Sequence, residues 1–335
     1  MLSREIYDLL SDEKSKQIYK LREKYCDTAD YAYIRQLVMT TNEAKELENC
    51  IRNSGFSKVV IWGTGYCGKM LKKTFSRIDW SAYIDNNPKT DYVDGIPVIK
   101  GEKFLENPDA LIVIGAIQQH AQIKEQLLCS GIKETQIIDA GQLVIQLEKK
   151  QYFDLPELKS CENESFVDVG CFDGKTSMNF IEWSSGNVKK IWALEPDKIA
   201  FENCVQNLSQ YKFAEIFNCG AWCQNMVLSF DEKGATSSCI SDSGNTKVDV
   251  KSIDYIIKDE EVTFIKMDVE GAELKALQGA AKTIKRYKPK LAICVYHNLD
   301  DYYEIAKAIL SMNSEYKLYF RHYSFRDAET VLYAL

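Results

Sequence analysis

The sequence predicts an α/β protein with two open, mainly parallel sheets, a small one followed by a larger one. Three observations carry this prediction. Short apolar runs alternate with helical segments in both halves of the chain. A glycine-rich turn follows the first apolar run of each half, at Gly63–Gly68 and at Gly170–Gly174. The length of 335 residues is typical of two domains.

Three segments follow one another along the chain. Residues 1–54 contain neither glycine nor proline and carry apolar residues at helical spacing. We expect them to form a helical segment, either a cap or a dimerisation arm. Residues 55–150 form the first α/β domain and residues 151–335 the second. The boundary falls near Gln151, where a charged stretch with Pro156 separates the two patterns.

Each α/β domain contains several short runs typical of buried strands. The predicted strands of the first domain are Val59–Trp62, Trp80–Ile84, Leu111–Ile114 and Gln136–Asp139. Those of the second are Phe166–Gly170, Lys190–Glu195, Glu215–Cys219, Phe264–Asp268 and Leu291–Tyr296. A hairpin-like insertion is predicted over Val227–Val250, a helix over Glu273–Arg286, and a terminal antiparallel pair at Tyr316–Arg321 and Thr330–Tyr333.

Composition limits the classes of function. A formal net charge of −7 argues against broad binding to nucleic acid or to an anionic membrane. No apolar run is long enough to span a bilayer, and the polar start has no signal-peptide core. The 11 cysteines therefore suggest reduced thiols and a cytoplasmic location. Only 3 histidines are present, far apart, so a Cys/His zinc site is not expected.

The turn after the first strand of the second domain is the most informative segment. It is one residue too short for a P-loop and lacks the middle glycine of the dinucleotide fingerprint. What remains is Asp168-x-Gly170-x-x-x-Gly174. Gly170 permits a ligand to approach bare backbone, Gly174 permits close packing at the helix start, and Thr176 adds a hydroxyl donor. A strand-end carboxylate would repel a pyrophosphate but suits the cationic groups of S-adenosylmethionine.

Glu195 supports the same cofactor. It ends the next predicted strand, before Pro196. A carboxylate at that position can accept hydrogen bonds from both ribose hydroxyls of an adenosyl group. The alternative is an ordinary acid in a turn.

From residue 152 onward the sequence resembles the FkbM-type family of class I methyltransferases. The matching segments are Phe166–Gly174, Leu194–Asp197, Gly220–Trp222 and Phe264–Glu273. The resemblance implies a seven-stranded sheet and S-adenosylmethionine as methyl donor, with Gly220 and Ala221 at the cofactor site. It also implies O-methylation of a sugar, a glycan or a secondary metabolite, as in polysaccharide biosynthesis. The expected partners are a small-molecule or glycan acceptor, nucleotide-linked sugars included, and a second copy of the chain in a homo-oligomer.

Three residues at predicted strand ends are candidates for removing the hydroxyl proton of an acceptor. Asp268 ends the fourth strand, Glu270 follows it, and His297 follows the fifth. Asp268 is the best of the three, since Glu270 and His297 also have ordinary structural explanations. The two carboxylates could instead hold a divalent cation. No further ligand can be assigned, so no metal site is expected.

The first α/β domain carries a second possible nucleotide site. Gly63, Gly65 and Gly68 follow a strand, and Asp85 ends the next one, as in the dinucleotide fingerprint of a Rossmann-like domain. Binding of a nucleotide or nucleotide-sugar and a purely structural role are equally consistent with this pattern. Two other functions stay open: an NAD-dependent sugar oxidoreductase or epimerase, and a nucleotide sensor without catalysis.

Overall fold

The computed structural model describes residues 2–231, 239–240 and 246–335. The chain divides into two compact units. The first unit comprises the chain up to Cys26, Gln151–Arg321 and Glu329–Leu335, and the second comprises Asp27–Lys150 and His322–Ala328. The helical residues before Gly55 are thus divided between the units. The three domain boundaries expected from the sequence stay predictions.

Helices dominate the first 54 residues, and an alternation of strands and helices follows up to residue 150. The elements are α1 (Leu2–Leu9), α2 (Glu13–Thr28), α3 (Tyr31–Val38), α4 (Asn42–Asn53), β1 (Val59–Trp62), α5 (Tyr66–Thr74), β2 (Trp80–Asp85), β3 (Tyr92–Val93), β4 (Ile96–Lys100), α6 (Gly101–Leu105), β5 (Leu111–Ile114), α7 (His120–Cys129), β6 (Ile137–Asp139) and α8 (Ala140–Lys150).

The sheet of the second unit has the order β3-β4-β2-β1-β5-β6. All its pairs are parallel except β3 with β4. The four predicted strands correspond to β1, β2, β5 and β6. The β3–β4 pair was not predicted because it is short and half exposed, with Pro97 in its second strand.

The remaining elements begin with a strand at residue 164. They are β7 (Glu164–Val169), α9 (Lys175–Trp183), β8 (Val188–Leu194), α10 (Lys198–Leu208), β9 (Ala214–Phe217), β10 (Gly220–Ala221), β11 (Met226–Asp231), β12 (Cys239–Ile240), β13 (Thr246–Lys251), α11 (Ile253–Ile257), β14 (Phe264–Met267), α12 (Glu273–Gly279), α13 (Ala281–Tyr287), β15 (Lys290–Cys294), α14 (Asp301–Met312), β16 (Leu318–His322) and β17 (Thr330–Ala334).

A seven-stranded sheet forms the centre of the first unit, with the order β16-β17-β15-β14-β7-β8-β9. Strands β15, β14, β7, β8 and β9 are parallel, and β17 pairs antiparallel with β15. The predicted seven-stranded sheet with an antiparallel last strand is therefore confirmed. On one face of this sheet, the ring of Phe166 in β7 stacks on that of Phe180 in α9, with centroids 4.2 Å apart. This order brings the carboxyl ends of β7, β8, β14 and β15 to one edge.

Helix α1, and α2 as far as Cys26, belong to the unit with the seven-stranded sheet. The fully buried ring of Tyr19 in α2 contacts Tyr302 of α14 and Phe320 of β16 edge-on, with centroids 5.0 and 5.5 Å away. The segment therefore contributes to the core of that unit.

One prediction needs correction, and one is partly testable. The predicted helix over residues 273–286 is interrupted at Ala280, and the preceding Gly279 leaves room for the carbonyl oxygen of Trp222, which a Cβ there would approach to 2.0 Å. Strands β11 and β13 pair antiparallel, as the insertion over Val227–Val250 predicted, while residues 232–238 and 241–245 lie outside the described residues. No described helix combines the length and the apolar character needed to cross a membrane.

Candidate active site

The glycine loop between β7 and α9 lies at the carboxyl edge of the larger sheet. Gly170 has a φ of +75°, and a Cβ there would lie 1.8 Å from the carbonyl oxygen of Asp268. Gly174 has a φ of +82°, and its Cβ would lie 3.0 Å from Sγ of Cys204 in α10. Only glycine fits these positions without displacing the backbone or the packing. The loop is therefore in direct contact with the end of β14.

Asp168 points away from solvent and forms a buried ion pair. Its Oδ1 lies 3.2 Å from Nζ of Lys266, and the two side chains are 0% and 2% exposed. Ser177 of α9 donates a hydrogen bond of 2.8 Å to Oδ2. Burial raises the pKa of Asp168, an effect that the Lys266 ammonium opposes. Contact of Asp168 with a cofactor stays a prediction, and the structure gives its carboxylate a different partner.

Lys266 is a residue of this site that the sequence reasoning missed. Its ammonium donates a hydrogen bond of 2.6 Å to the carbonyl oxygen of Gly170. Burial alone would lower the pKa of Lys266, but the carboxylates of Asp168 and Asp268 raise it. A lysine inside a fully buried strand was the available signal, since a buried charge needs a partner. The lysine thus holds the glycine loop at its first glycine.

Glu195 lies immediately after β8 and turns towards the glycine loop. Its Oε2 accepts from the amide of Phe172 and its Oε1 from the amide of Asp197, both at 2.9 Å. The residue is 8% exposed, and burial raises its pKa although the two amides oppose this. Asn218, which was not predicted, donates to the carbonyl oxygen of Glu195 at 2.9 Å. Each carboxylate oxygen retains a lone pair for a further donor.

The other predicted cofactor residues lie around this loop and the next strand end. Thr176 is half-buried in the first turn of α9. Gly220 and Ala221 are buried in β10. A Cβ on Gly220 would lie 3.9 Å from Cβ of Pro196, the residue after Glu195. Their roles as cofactor ligands stay predictions.

The three predicted catalytic residues converge at the ends of β14 and β15. Nε2 of His297 lies 3.5 Å from Oδ1 of Asp268 and 3.6 Å from Oε2 of Glu270. Glu270 and Gly271 both have positive φ, +52° and +96°, so the chain turns sharply after the strand. A left-handed glutamate is strained, and strain of this kind is concentrated at functional sites.

Two tyrosines and a third acid, Glu273, hold the residues of this cluster in place. The hydroxyls of Tyr152 and Tyr296 donate to the two carboxylate oxygens of Asp268, at 2.9 and 3.3 Å. Glu273 is fully buried, and its Oε1 lies 2.8 Å from Nδ1 of His297. The same carboxylate accepts from the amides of Val269 and Gly271, at 2.9 and 3.1 Å. We did not predict these partners, because they come together only in three dimensions.

The pKa values of Glu270 and His297 are both raised in this cluster. Burial raises the pKa of Glu270 to about 7, and repulsion from Asp268 adds to the effect. Burial alone would lower the pKa of His297. The surrounding carboxylates, Glu273 first, outweigh that effect and raise it to about 9. The imidazole therefore holds a proton at neutral pH when nothing else occupies the site.

In the glycine-rich turn of the second unit, Asp85 at the end of β2 is hydrogen-bonded to the turn itself. Oδ2 of Asp85 accepts hydrogen bonds from the amide and the hydroxyl of Thr64, at 3.1 and 2.5 Å. A Cβ on Gly68 would lie 2.1 Å from the carbonyl oxygen of Gly63, whereas a Cβ on Gly65 would meet nothing within 4 Å. The turn thus has the close packing of the fingerprint. Nucleotide binding there stays a prediction.

Two family models match the chain. Residues 168–326 match the model of the methyltransferase FkbM domain. Residues 55–138 match the model described as C2185-like, N-terminal. No curated protein matches the chain in sequence.

Several solved structures are similar to this chain. The methyltransferase FkbM of Methylobacillus flagellatus KT has a TM-score of 0.53 at 22% identity, over 88% of this chain and 94% of that one. Aeropyrum pernix fibrillarin, solved with S-adenosyl-L-methionine, has a TM-score of 0.37 at 11% identity, over 57% and 74%. Precorrin-6y C5,15-methyltransferase of Geobacter metallireducens GS-15 has a TM-score of 0.35 at 10% identity, over 59% and 89%. The last two are too distant to bear on the fold. The family match confirms the resemblance seen in the sequence: residues 168–326 of this chain match the FkbM methyltransferase domain.

Proposed function

We propose that the protein transfers a methyl group from S-adenosylmethionine to a hydroxyl of a sugar, a glycan or a secondary metabolite. One observation carries the proposal. A cluster able to accept a proton, formed by Asp268, Glu270 and His297, lies directly beside the glycine loop expected to bind the cofactor. The methyltransferase domain match supports methyl transfer and S-adenosylmethionine as its donor.

The groups around the glycine loop fit an adenosyl cofactor. Glu195 is a nearly buried carboxylate whose two oxygens are already directed by backbone amides. It can accept further hydrogen bonds from the two hydroxyls of a ribose. Gly170 leaves the backbone bare at the end of β7, and Thr176 offers a hydroxyl in the first turn of α9. When bound, S-adenosylmethionine would supply an electrophilic methyl group, with its sulfonium sulfur as the leaving group.

The chain contributes the handling of the acceptor proton. A neutral sugar hydroxyl is a weak nucleophile, so its proton must leave as the oxygen is methylated. Glu270 is the most accessible acid of the cluster, with 36% of its side chain exposed, against 24% for Asp268. Glu270 receives the proton, and Asp268, held by two tyrosine hydroxyls, orients the acceptor. His297 lies against both carboxylates through Nε2 and fixes their positions relative to the acceptor.

A methyl-transfer assay tests the proposal. Purified protein is incubated with methyl-labelled S-adenosylmethionine and a panel of monosaccharides, glycans and nucleotide-linked sugars, and labelled products are identified by mass spectrometry. We expect an O-methylated product, and we expect Asp268→Asn and His297→Ala to reduce turnover at least 100-fold. Exposed Asp300 is the matched control, and Asp300→Asn keeps wild-type turnover. Cofactor binding without turnover of any acceptor would favour the sensor function instead.

A further inference from the structure

The cluster at the ends of β14 and β15 has the composition and spacing of a metal site. The ligand atoms of Asp268, Glu270 and His297 all lie within 4.8 Å of one another. Nε2 of His297 is 3.5 and 3.6 Å from the facing oxygens of the two acids. Two ligand atoms each about 2.1 Å from one ion stand roughly 3 to 3.5 Å apart. A small closure of the cluster is therefore enough to surround one cation.

His297 provides an observation independent of the acids. Its side chain is 8% exposed, and its buried Nε2 has no hydrogen-bond partner among the described residues. An unpartnered buried nitrogen is costly, and native structures rarely leave one without a ligand, a water or an ion. This nitrogen faces Asp268 and Glu270, the two acids that can share an ion with it.

We propose that Asp268, Glu270 and His297 together bind one divalent cation. Imidazole nitrogen favours first-row transition metals, whereas carboxylate oxygen also suits Mg²⁺ and Mn²⁺. A set of one nitrogen and two oxygens therefore fits Mn²⁺ or a similar cation better than Ca²⁺. His297 is the third ligand that the sequence argument against a metal site lacked.

The surroundings hold the ligands in place. Glu273 faces Nδ1 of His297 at 2.8 Å, which directs Nε2 towards the two acids. Backbone amides of Val269 and Gly271 fix Glu273 in turn. A carboxylate behind a ligating histidine is a recurrent feature of metal sites, because it fixes the ring and raises the basicity of the ligand.

If the proposed function holds, a cation at this position favours methyl acceptors that can coordinate it. This inference rests on the proposed function. Three protein ligands on one side leave open coordination positions. An acceptor with two neighbouring oxygen donors, such as a vicinal diol, can occupy two of them. The cation lowers the pKa of the coordinated hydroxyl, and the proton passes to the oxygen of Glu270 that does not face His297. The methyl donor and the products are those of the proposed reaction.

A second group of potential ligands shares Asp268 and consists otherwise of Cys294 and Glu329. Cys294 is fully buried, and its sulfur lies 3.3 Å from the hydroxyl of Tyr152. That hydroxyl also donates to Asp268, so it stands between the sulfur and the acid. The first group is therefore favoured, and Cys294→Ala distinguishes the two.

Mn²⁺ binding tests the site without any methyl acceptor. The full chain is treated with a chelator, desalted and titrated with MnCl₂, with free Mn²⁺ measured by electron paramagnetic resonance. We expect one site, with an affinity at least tenfold lower in Asp268→Asn, Glu270→Gln and His297→Gln. Cys294→Ala and the control Asp300→Asn should change it less than twofold. Unchanged affinity in a folded His297→Gln, or no binding by the wild type, would overturn the proposal.

A spectroscopic readout keeps the test decisive if a variant fails to fold. Pulsed electron paramagnetic resonance of the wild-type Mn²⁺ complex should show coupling to an imidazole ¹⁴N nucleus. A bound Mn²⁺ without that coupling would exclude His297 as a ligand. Failure of the proposed function would look different: Mn²⁺ would bind with nitrogen coupling while S-adenosylhomocysteine would not bind.

Discussion

Nζ of Lys266 lies 3.2 Å from Oδ1 of Asp168, and neither side chain is more than 2% exposed. The pair connects β14 with β7, and the lysine also donates to the carbonyl oxygen of Gly170. The buried ion pair of Lys266 with Asp168 therefore supports the conformation of the glycine loop. A buried pair of this kind is costly to break from one side, because the remaining charge has no partner.

Asp168→Asn is expected to lower the free energy of unfolding by about 3–5 kcal/mol, because the buried Lys266 ammonium loses its ion-pair partner. The double variant Asp168→Asn/Lys266→Met should recover at least half of that loss, since both charges are then absent. Chemical unfolding followed by circular dichroism measures both values. Equal stability of Asp168→Asn and wild type would show that the pair does not stabilise the fold.

Gly170→Ala should be more damaging than the strain of its backbone alone predicts. Gly186 is a matched control, since its φ of +78° is almost the same but nothing lies within 4 Å of its would-be Cβ. Gly186→Ala should cost about 1–2 kcal/mol, the penalty for a left-handed alanine. Gly170→Ala should cost about 1–3 kcal/mol more, because its Cβ displaces the carbonyl of Asp268. Similar losses in the two variants would contradict the contact between the loop and β14.

Glu273→Gln tests the positioning of His297. The amide oxygen can still accept from one backbone amide, but the charge that faces Nδ1 is lost. We expect Mn²⁺ affinity to fall about 10- to 100-fold, the usual effect of removing a partner behind a ligating histidine. Binding of S-adenosylhomocysteine should change less than twofold, which separates this effect from unfolding. Wild-type Mn²⁺ affinity in Glu273→Gln would show that Glu273 does not position His297 for metal binding.

Asp301 makes the stability of the first unit depend on pH. Burial raises its pKa from 3.8 to about 6, against the hydrogen bonds donated by Asn298. The folded state therefore binds the proton more tightly than the unfolded state, so this group stabilises the fold most below pH 4. That contribution is lost as the pH rises to 6. Asp301→Asn should remove this part of the pH dependence in unfolding curves recorded at pH 4, 5 and 6. Parallel curves for the variant and the wild type would contradict it.

The strands that form the site could be predicted from the sequence because each is a short, mainly apolar run. Strands β7, β8, β14 and β15 all end within two residues of the predicted position. Their parallel order then brings Asp268 and His297 to the same edge. The lengths of the apolar runs and their alternation with helices thus predict that the candidate catalytic residues converge.

The partners inside the site could not be predicted in this way. Lys266 was visible as a lysine in an apolar strand, but its contact with Asp168 depends on the register of β14 on β7. Glu273 has the sequence of an ordinary acid at a helix start, and only the left-handed turn at Glu270 brings it back to His297. Contacts that depend on register or on a strained turn have no signature in local sequence.

Calorimetric titration with S-adenosylhomocysteine tests the central claim most directly. The wild type, Glu195→Ala and Glu202→Ala are compared, since Glu202 is an exposed acid of the neighbouring helix α10. The account predicts saturable binding at one site, at least tenfold weaker in Glu195→Ala and unchanged in Glu202→Ala. No binding by folded wild-type protein would contradict the account and leave the turn at Gly63–Gly68 as the leading candidate for activity.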